Sequence, residues 1–461
     1  NEFKKSGKFI YAYADFMTQK GYYVSSVADS IFMNPVGSIE LKGLSSEVLY
    51  FEDFQNQYGL KMEVIRHGKY KSAVEPFLQD KMSDENRAQI KGLLDAVWTT
   101  ISDEIVESRT ISKKALEKMV EELTVTDAKE AITNGIIDAL VYEDDFEKSI
   151  KAALEIDKDD SINSVEFYEL NTQMKTFDSD VKDQIAVIYA NGPILYTSGT
   201  EEVIGKKALN QSFQEVETNK NIKGAVLRID SPGGDAMTSE IILNAMRKLK
   251  GKKPLVVSLG NIAASGGYYI ACLGDKIYAS PMTITGSIGV LAAFPNMRGL
   301  AERIGINAEQ VNSHKNAMGY SLFEPLNDGF KNSTKSAIEK VYTTFKSRVS
   351  EGRSLNMEKV EDLSKGRIWS GRDAVENGLV DAIGGLEDAI QATAEMAAIE
   401  NYNIDSYPKY ENEFEYIFLD ALSFIRLKIF NHPIEKFASE LFKLLEMEGI
   451  QAIIPFSINI E

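Results

Sequence analysis

The sequence predicts an α/β fold built twice, as two tandem parallel-sheet units of ββα type followed by a C-terminal helical tail. Three observations carry this prediction. Motifs recur along the chain at a nearly constant spacing; short apolar runs rich in β-branched residues alternate with helix-period segments; and 461 residues exceed what one ordinary core accommodates. The expected domains are 1–165, 183–400 and a tail over 401–461.

The repeat is direct. Gly21-Tyr22-Tyr23 matches Gly267-Tyr268-Tyr269 at an offset of 246 residues, and the same offset pairs Ala28-Asp29-Ser30-Ile31-Phe32 with Gly274-Asp275-Lys276-Ile277-Tyr278. Glu75-Pro76 matches Glu324-Pro325 at 249, and Asn134-Gly135-Ile136-Ile137-Asp138 matches Asn377-Gly378-Leu379-Val380-Asp381 at 243. Such constancy over more than a hundred residues marks a duplicated unit. Residue 1 corresponds to Arg247, so the first copy has no counterpart of residues 185–246. The expectation is a first domain lacking its opening strands.

In the second copy, 185–190 (IAVIYA), 224–229 (GAVLRI) and 254–259 (PLVVSL) read as buried parallel strands, with a helix over 235–250 between the last two. A long helix over 330–351 has its partner over 84–109. The tail is aromatic-rich, with Pro433 interrupting it. Its acidic residues favour packing or oligomer-contact helices over a membrane-surface helix.

Composition narrows the function. A formal net charge of −18 argues against nucleic acid or an anionic membrane surface as principal partner. Cys272 is the sole cysteine, which excludes an intrachain disulfide framework. No run of 18 apolar residues and no signal peptide are visible.

Three elements of the second copy belong together. Ser231-Pro232-Gly233-Gly234 follows one strand, and adjacent glycines there let a backbone N–H face a crevice unobstructed. Ala264-Ser265-Gly266-Gly267 follows the next strand and opens an apolar helix, placing Ser265 at the positive end of a helix dipole. The N–H groups of Gly234 and Gly266 are candidates for an oxyanion hole. Thr285-Gly286-Ser287-Ile288-Gly289 supplies a second hydroxyl 22 residues after Ser265. A serine nucleophile needs a base. Of the three histidines, His67 lies in the other repeat, His314 in a loop-like segment and His432 in the tail. A lysine whose pKa is lowered by burial is the remaining class. Lys71, in HGKYKSAVEPF (67–77), stands at a strand-to-apolar-segment turn, and its second-copy counterpart is Ala317 or Tyr320, depending on the anchor used. The second copy keeps Ser265 where the first has Gln19, and the first keeps Lys71 where the second has no lysine. Complementary loss of this kind predicts a composite site at a domain junction.

These residues resemble the signal peptide peptidase A (protease IV) family of serine peptidases in its long, duplicated form, within the Clp protease–crotonase superfamily. The motifs Gly-x-Tyr-Lys-Ser-Ala-Val-Glu-Pro-Phe, Ser-Pro-Gly-Gly, Ala-Ala-Ser-Gly-Gly-Tyr and Thr-Gly-Ser-Ile-Gly occur in family order across residues 1 to about 400. The resemblance implies Ser265 as nucleophile, Lys71 as general base, Ser287 orienting the lysine, and Gly234 and Gly266 binding the oxyanion. It implies no cofactor or metal. It further implies hydrolysis of released signal peptides and other hydrophobic peptides, a homotetramer, and an N-terminal anchor in the bacterial inner membrane with the catalytic part on the periplasmic side. The rival readings are a crotonase-like acyl-CoA enzyme, which shares the oxyanion hole without the serine–lysine pair, and a non-catalytic oligomeric scaffold.

Overall fold

A computed structural model describes residues 3–157, 159–166, 169, 178, 180–410 and 450–453. The chain divides into two compact units. Among the described residues four strands precede residue 160: β1 (Tyr11–Met17), β2 (Ser30–Ile39), β3 (Lys61–His67) and β4 (Ala139–Leu140). The first unit holds β1, β2 and β4 as a parallel three-stranded sheet, with Tyr22, Ile31, Met33, Ile105 and Leu116 buried in it. The helix predicted over 84–109 spans Asp84–Ser108.

The second unit adds β5 (Gln184–Asn191), β6 (Ile194–Leu195), β7 (Ile204–Gly205), β8 (Ile222–Ser231), β9 (Gly233–Asp235), β10 (Leu255–Ala264), β11 (Lys276–Ala279), β12 (Ile284–Gly286) and β13 (Val290–Asn296). Beyond these lie β14 (Ile368–Ser370), β15 (Ala382–Ile383), β16 (Asn403–Tyr407) and β17 (Ile450–Ile453). An eight-stranded sheet runs β14-β12-β10-β8-β5-β16, with β11 and β15 beside β10. The three predicted strands are its centre, β5-β8-β10, and they pair in parallel.

Alternation along each strand explains why these runs are apolar throughout. Ile188, Leu227, Val257 and Leu259 bury on one face among Phe213, Ile242 and Met246 of the helices Lys206–Thr218 and Ala236–Lys250. Ile185, Val187, Val226 and Val256 bury on the other, against Ala389 and Ile390 of the helix Leu386–Ala397. The predicted helix over 330–351 spans Asp328–Arg353.

A second sheet, six-stranded, runs β3-β13-β17-β9-β6-β7 and corrects two sequence expectations. First, β3 pairs antiparallel with β13 along its full length, from His67↔Val290 to Lys61↔Asn296. Residues 48–90 therefore belong to the second compact unit, although the repeat assigns them to the first copy. Second, the tail expected to be helical from residue 401 opens with β16, which extends the parallel sheet beside β5, and β17 is also a strand. Residues 411–449, where the tail helices and Pro433 were placed, lie outside the described residues. Among the described residues no helix is long and apolar enough to cross a membrane.

The close fit of the helix Leu386–Ala397 on the sheet generates a prediction. A Cβ at Gly224, on β8, would lie 2.5 Å from the Thr393 methyl. Gly224→Val should lower stability by about 1–3 kcal/mol, read as a fall of several degrees in a calorimetric melt.

Candidate active site

Ser265 stands where β10 gives way to the helix Gly266–Ala271. Two features of β10 put it there. The β10–β8 register shifts between Leu259 and Ala263, carrying the end of the strand onward. That end then pairs with β12, Ala264 opposite Gly286. The Ser265 N–H donates to the Gly286 carbonyl at 2.8 Å, so the nucleophile candidate is held beside Ser287. Its backbone, at φ 55° and ψ −114°, is one that non-glycine residues rarely adopt, at a cost of about 1–3 kcal/mol. Ser287 is likewise at positive φ, 53°, and its N–H donates to the Arg367 carbonyl at 2.7 Å.

Lys71 follows β3 and begins the 3-10 turn Ser72–Phe77, which contains Pro76. Its amine lies 2.7 Å from Ser265 Oγ, 3.1 Å from Ser287 Oγ and 3.2 Å from the Ser287 carbonyl oxygen. All three residues are fully buried. Burial alone holds the Lys71 amine well below the ordinary lysine range, because an ammonium there would lose its hydration with no charged partner to compensate. The amine is thus a neutral base candidate in contact with a hydroxyl.

The glycines complete the arrangement. At Gly234, φ is 151° and a Cβ would come 2.0 Å from the Ile194 carbonyl oxygen. A Cβ at Gly266 would come 3.1 Å from the Gly234 nitrogen, which measures how close the two candidate oxyanion residues lie. The Ser231 hydroxyl accepts from the Gly233 N–H at 3.2 Å and braces the turn. Every predicted site residue, Lys71, Gly234, Ser265, Gly266 and Ser287, is brought together, and all lie within the second compact unit. The expected composite site at a domain junction is corrected accordingly: β3–β13 pairing carries the lysine segment into that unit.

Gln19, the first-copy counterpart of Ser265, is buried and engaged entirely in structure. Its side-chain oxygen accepts from the N–H groups of Lys42 and Gly43 at 3.0 and 2.8 Å, and its nitrogen donates to the Gly43 carbonyl at 2.9 Å.

Sequence reading missed the cradle of Lys71. A Cβ at Gly366 would lie 2.6 Å from the Lys71 nitrogen, and one at Gly289 would lie 3.3 Å from Lys71 Cδ, so the lysine stem threads between two glycines. Gly68, at φ 100°, packs against the Lys365 backbone, and Tyr70 N–H donates to the Lys365 carbonyl at 2.9 Å. Arg66 Nη1 donates to the Lys71 carbonyl at 3.1 Å. Gly289 ends a motif already noted; Gly366, in Ser-Lys-Gly-Arg, carries no local signal.

Two predictions follow from the cradle and the buried amine. Gly366→Ala should displace Lys71 and lower kcat/KM by about 10²-fold, with circular dichroism unchanged. Lys71 is depressed in the folded state, so the unfolded chain binds more protons between the two pKa values, and folding stability rises with pH in that window. The stability of wild type relative to Lys71→Met should climb by up to about 1.4 kcal/mol per pH unit as pH approaches 10.5, measured by denaturant melts. A flat difference contradicts a neutral buried amine.

Comparison with known proteins shows the family. The model of peptidase family S49 matches twice, over residues 2–157 and 247–400. Protease 4 of Haemophilus influenzae is 34% identical over 421 residues, covering 88% of this chain and 68% of that protein. Protease 4 of Salmonella typhi is 31% identical, covering 88% and 66%. The chloroplastic serine protease SPPA of Arabidopsis thaliana is 32% identical, covering 86% and 60%. The chain thus spans about two thirds of the length of these relatives. It belongs to peptidase family S49, as a serine-type peptidase with the family's domain repeated twice.

Proposed function

We propose that this peptidase works through a serine–lysine dyad, with Ser265 as nucleophile and Lys71 as general base. The observation that carries the proposal is the 2.7 Å contact between the buried Lys71 amine and Ser265 Oγ. Neutral Lys71 accepts the hydroxyl proton as Oγ bonds to a peptide carbonyl carbon. The resulting oxyanion accepts hydrogen bonds from the N–H groups of Gly234 and Gly266. Collapse breaks the C–N bond, and the Lys71 ammonium returns the proton to the leaving amine. Water, deprotonated by Lys71, then cleaves the acyl ester and frees Ser265. Ser287 holds the amine on line through its hydroxyl and carbonyl oxygens.

In this reading the substrates are released signal peptides and other hydrophobic peptides. The working form is a homotetramer held at the bacterial inner membrane through an N-terminal anchor, with its catalytic part on the periplasmic side. The family resemblance supports these assignments.

Ser265→Ala and Lys71→Ala should each lower hydrolysis of an uncharged fluorogenic peptide by about 10³-fold or more, with the circular dichroism spectrum of the fold unchanged. Lys71→Arg should be equally inactive, since a guanidinium stays charged. In wild type, kcat/KM should rise with pH and level off well below 10.5, because burial lowers the lysine's pKa and only its neutral form accepts the proton. Retained turnover in Lys71→Ala, or a pH limb at the ordinary lysine value, would sink the dyad.

A further inference from the structure

Lys365, Gly366 and Arg367 form a backbone bridge between the lysine and the serine that orients it. The Lys365 carbonyl accepts from the Tyr70 N–H at 2.9 Å, and Gly366 lies against the Lys71 backbone. On the other side, the Gly366 N–H donates to the Ile288 carbonyl at 2.9 Å, and the Arg367 carbonyl accepts from the Ser287 N–H at 2.7 Å. A shift of these three residues would move Lys71 and Ser287 together. Their backbone is also strained. Lys365 stands at φ 62° and Gly366 at φ 82°. Glycine takes that region freely, whereas a lysine stays there only where its surroundings hold it.

The Lys365 amide donates to the hydroxyl of Tyr342 at 3.2 Å. Tyr342 is buried on the helix Asp328–Arg353 and does not itself touch the dyad. Its hydroxyl donates onward to Glu361 Oε2 at 3.3 Å, and Lys346 Nζ binds the same oxygen at 2.6 Å while lying 4.5 Å from the Tyr342 ring centre. Lys365 Nζ is 3.9 Å from Glu361 Oε1. His67, four residues before Lys71, packs its ring on the tyrosine ring with centroids 4.1 Å apart, and its Nδ1 lies 2.7 Å from Glu339 Oε1. Burial pushes the Tyr342 hydroxyl up to about 12, so it keeps its proton over the range in which the depressed Lys71 amine titrates.

We propose that Tyr342 is a positioning residue for the general base. Its buried hydroxyl clamps the Lys365 amide, holds the Lys365–Arg367 bridge in its left-handed turn, and so keeps the Lys71 amine dry and in line with Ser265. The inference rests on Lys71 being the base of the dyad. The tyrosine acts through the bridge, so its loss should degrade proton transfer more than substrate binding.

The test is Tyr342→Phe in the full chain, which keeps the ring against His67 and removes only the hydroxyl. With an uncharged fluorogenic peptide, kcat should fall about tenfold while KM stays within about twofold. The pH limb of kcat/KM should move up by about half a unit or more, toward the ordinary lysine value, because a loosened bridge admits water to the amine. Tyr320→Phe is the control. It loses a hydroxyl that donates to the Pro295 carbonyl at 2.6 Å, and should leave the limb in place. A second arm needs no turnover. The stability difference between chains with Lys71 and with Lys71→Met should begin its climb at higher pH in the Tyr342→Phe background, since that onset marks the folded lysine's pKa. A shifted onset alongside retained turnover in Lys71→Ala would uphold the clamp on a buried amine while the base assignment falls. If Tyr342→Phe does not fold, hydrogen exchange of wild type decides: the Lys365 amide should be strongly protected. An unprotected Lys365 amide, a limb and onset that both stay put, an equal shift in Tyr320→Phe, or a loss confined to KM overturns the proposal.

Discussion

Removing the Lys71 amine from water is the constraint on which the site depends. An ammonium with no counter-charge is costly in a protein interior, so burial pushes the group's pKa down and favours the neutral form, whose surroundings must satisfy an amine. Ser265 and Ser287 do so with two hydroxyls and one carbonyl oxygen, all within hydrogen-bond distance. The cradle serves the same end: Gly366 and Gly289 let the lysine stem lie where any side chain would displace it.

Position is set by register. His67 pairs with Val290, four residues before Lys71 and three after Ser287, so one antiparallel ladder fixes the approach of lysine to serine. A single-residue slip would turn every β3 side chain to the opposite face. On the serine side, the shift in β10 and its pairing with β12 do the corresponding work. Both serines stand at positive φ, a strain maintained by the close-packed eight-stranded sheet behind them.

Duplication supplied the parts, and divergence gave them different tasks. Gln19 shows what the position equivalent to Ser265 becomes when it has only a structural role: three hydrogen bonds from one side chain tie down the loop at Lys42–Gly43. Lineage and packing also part company at residues 48–90, which the repeat assigns to the first copy and the β3–β13 ladder joins to the second unit.

Much of this was legible in the chain itself. The repeat offsets, the β-branched runs of β5, β8 and β10, and the glycine-flanked serines are local patterns, so the α/β class and Ser265, Ser287, Gly234 and Gly266 could be read directly. Lys71 was reached by asking which base the histidines left unfilled. Gly366 and Arg66 were not legible, because their roles exist only through contacts with a segment some 300 and five residues away, respectively. The sheet β3-β13-β17-β9 was hidden for the same reason: antiparallel partners separated by more than a hundred residues leave no periodic trace in either. Sequence by itself determined which chemical groups were available and which strands were buried, because side-chain type and hydrophobic period are local properties. Only the tertiary structure decided that the Lys71 pKa is pushed down and that its amine touches Ser265, because desolvation and distance arise from packing.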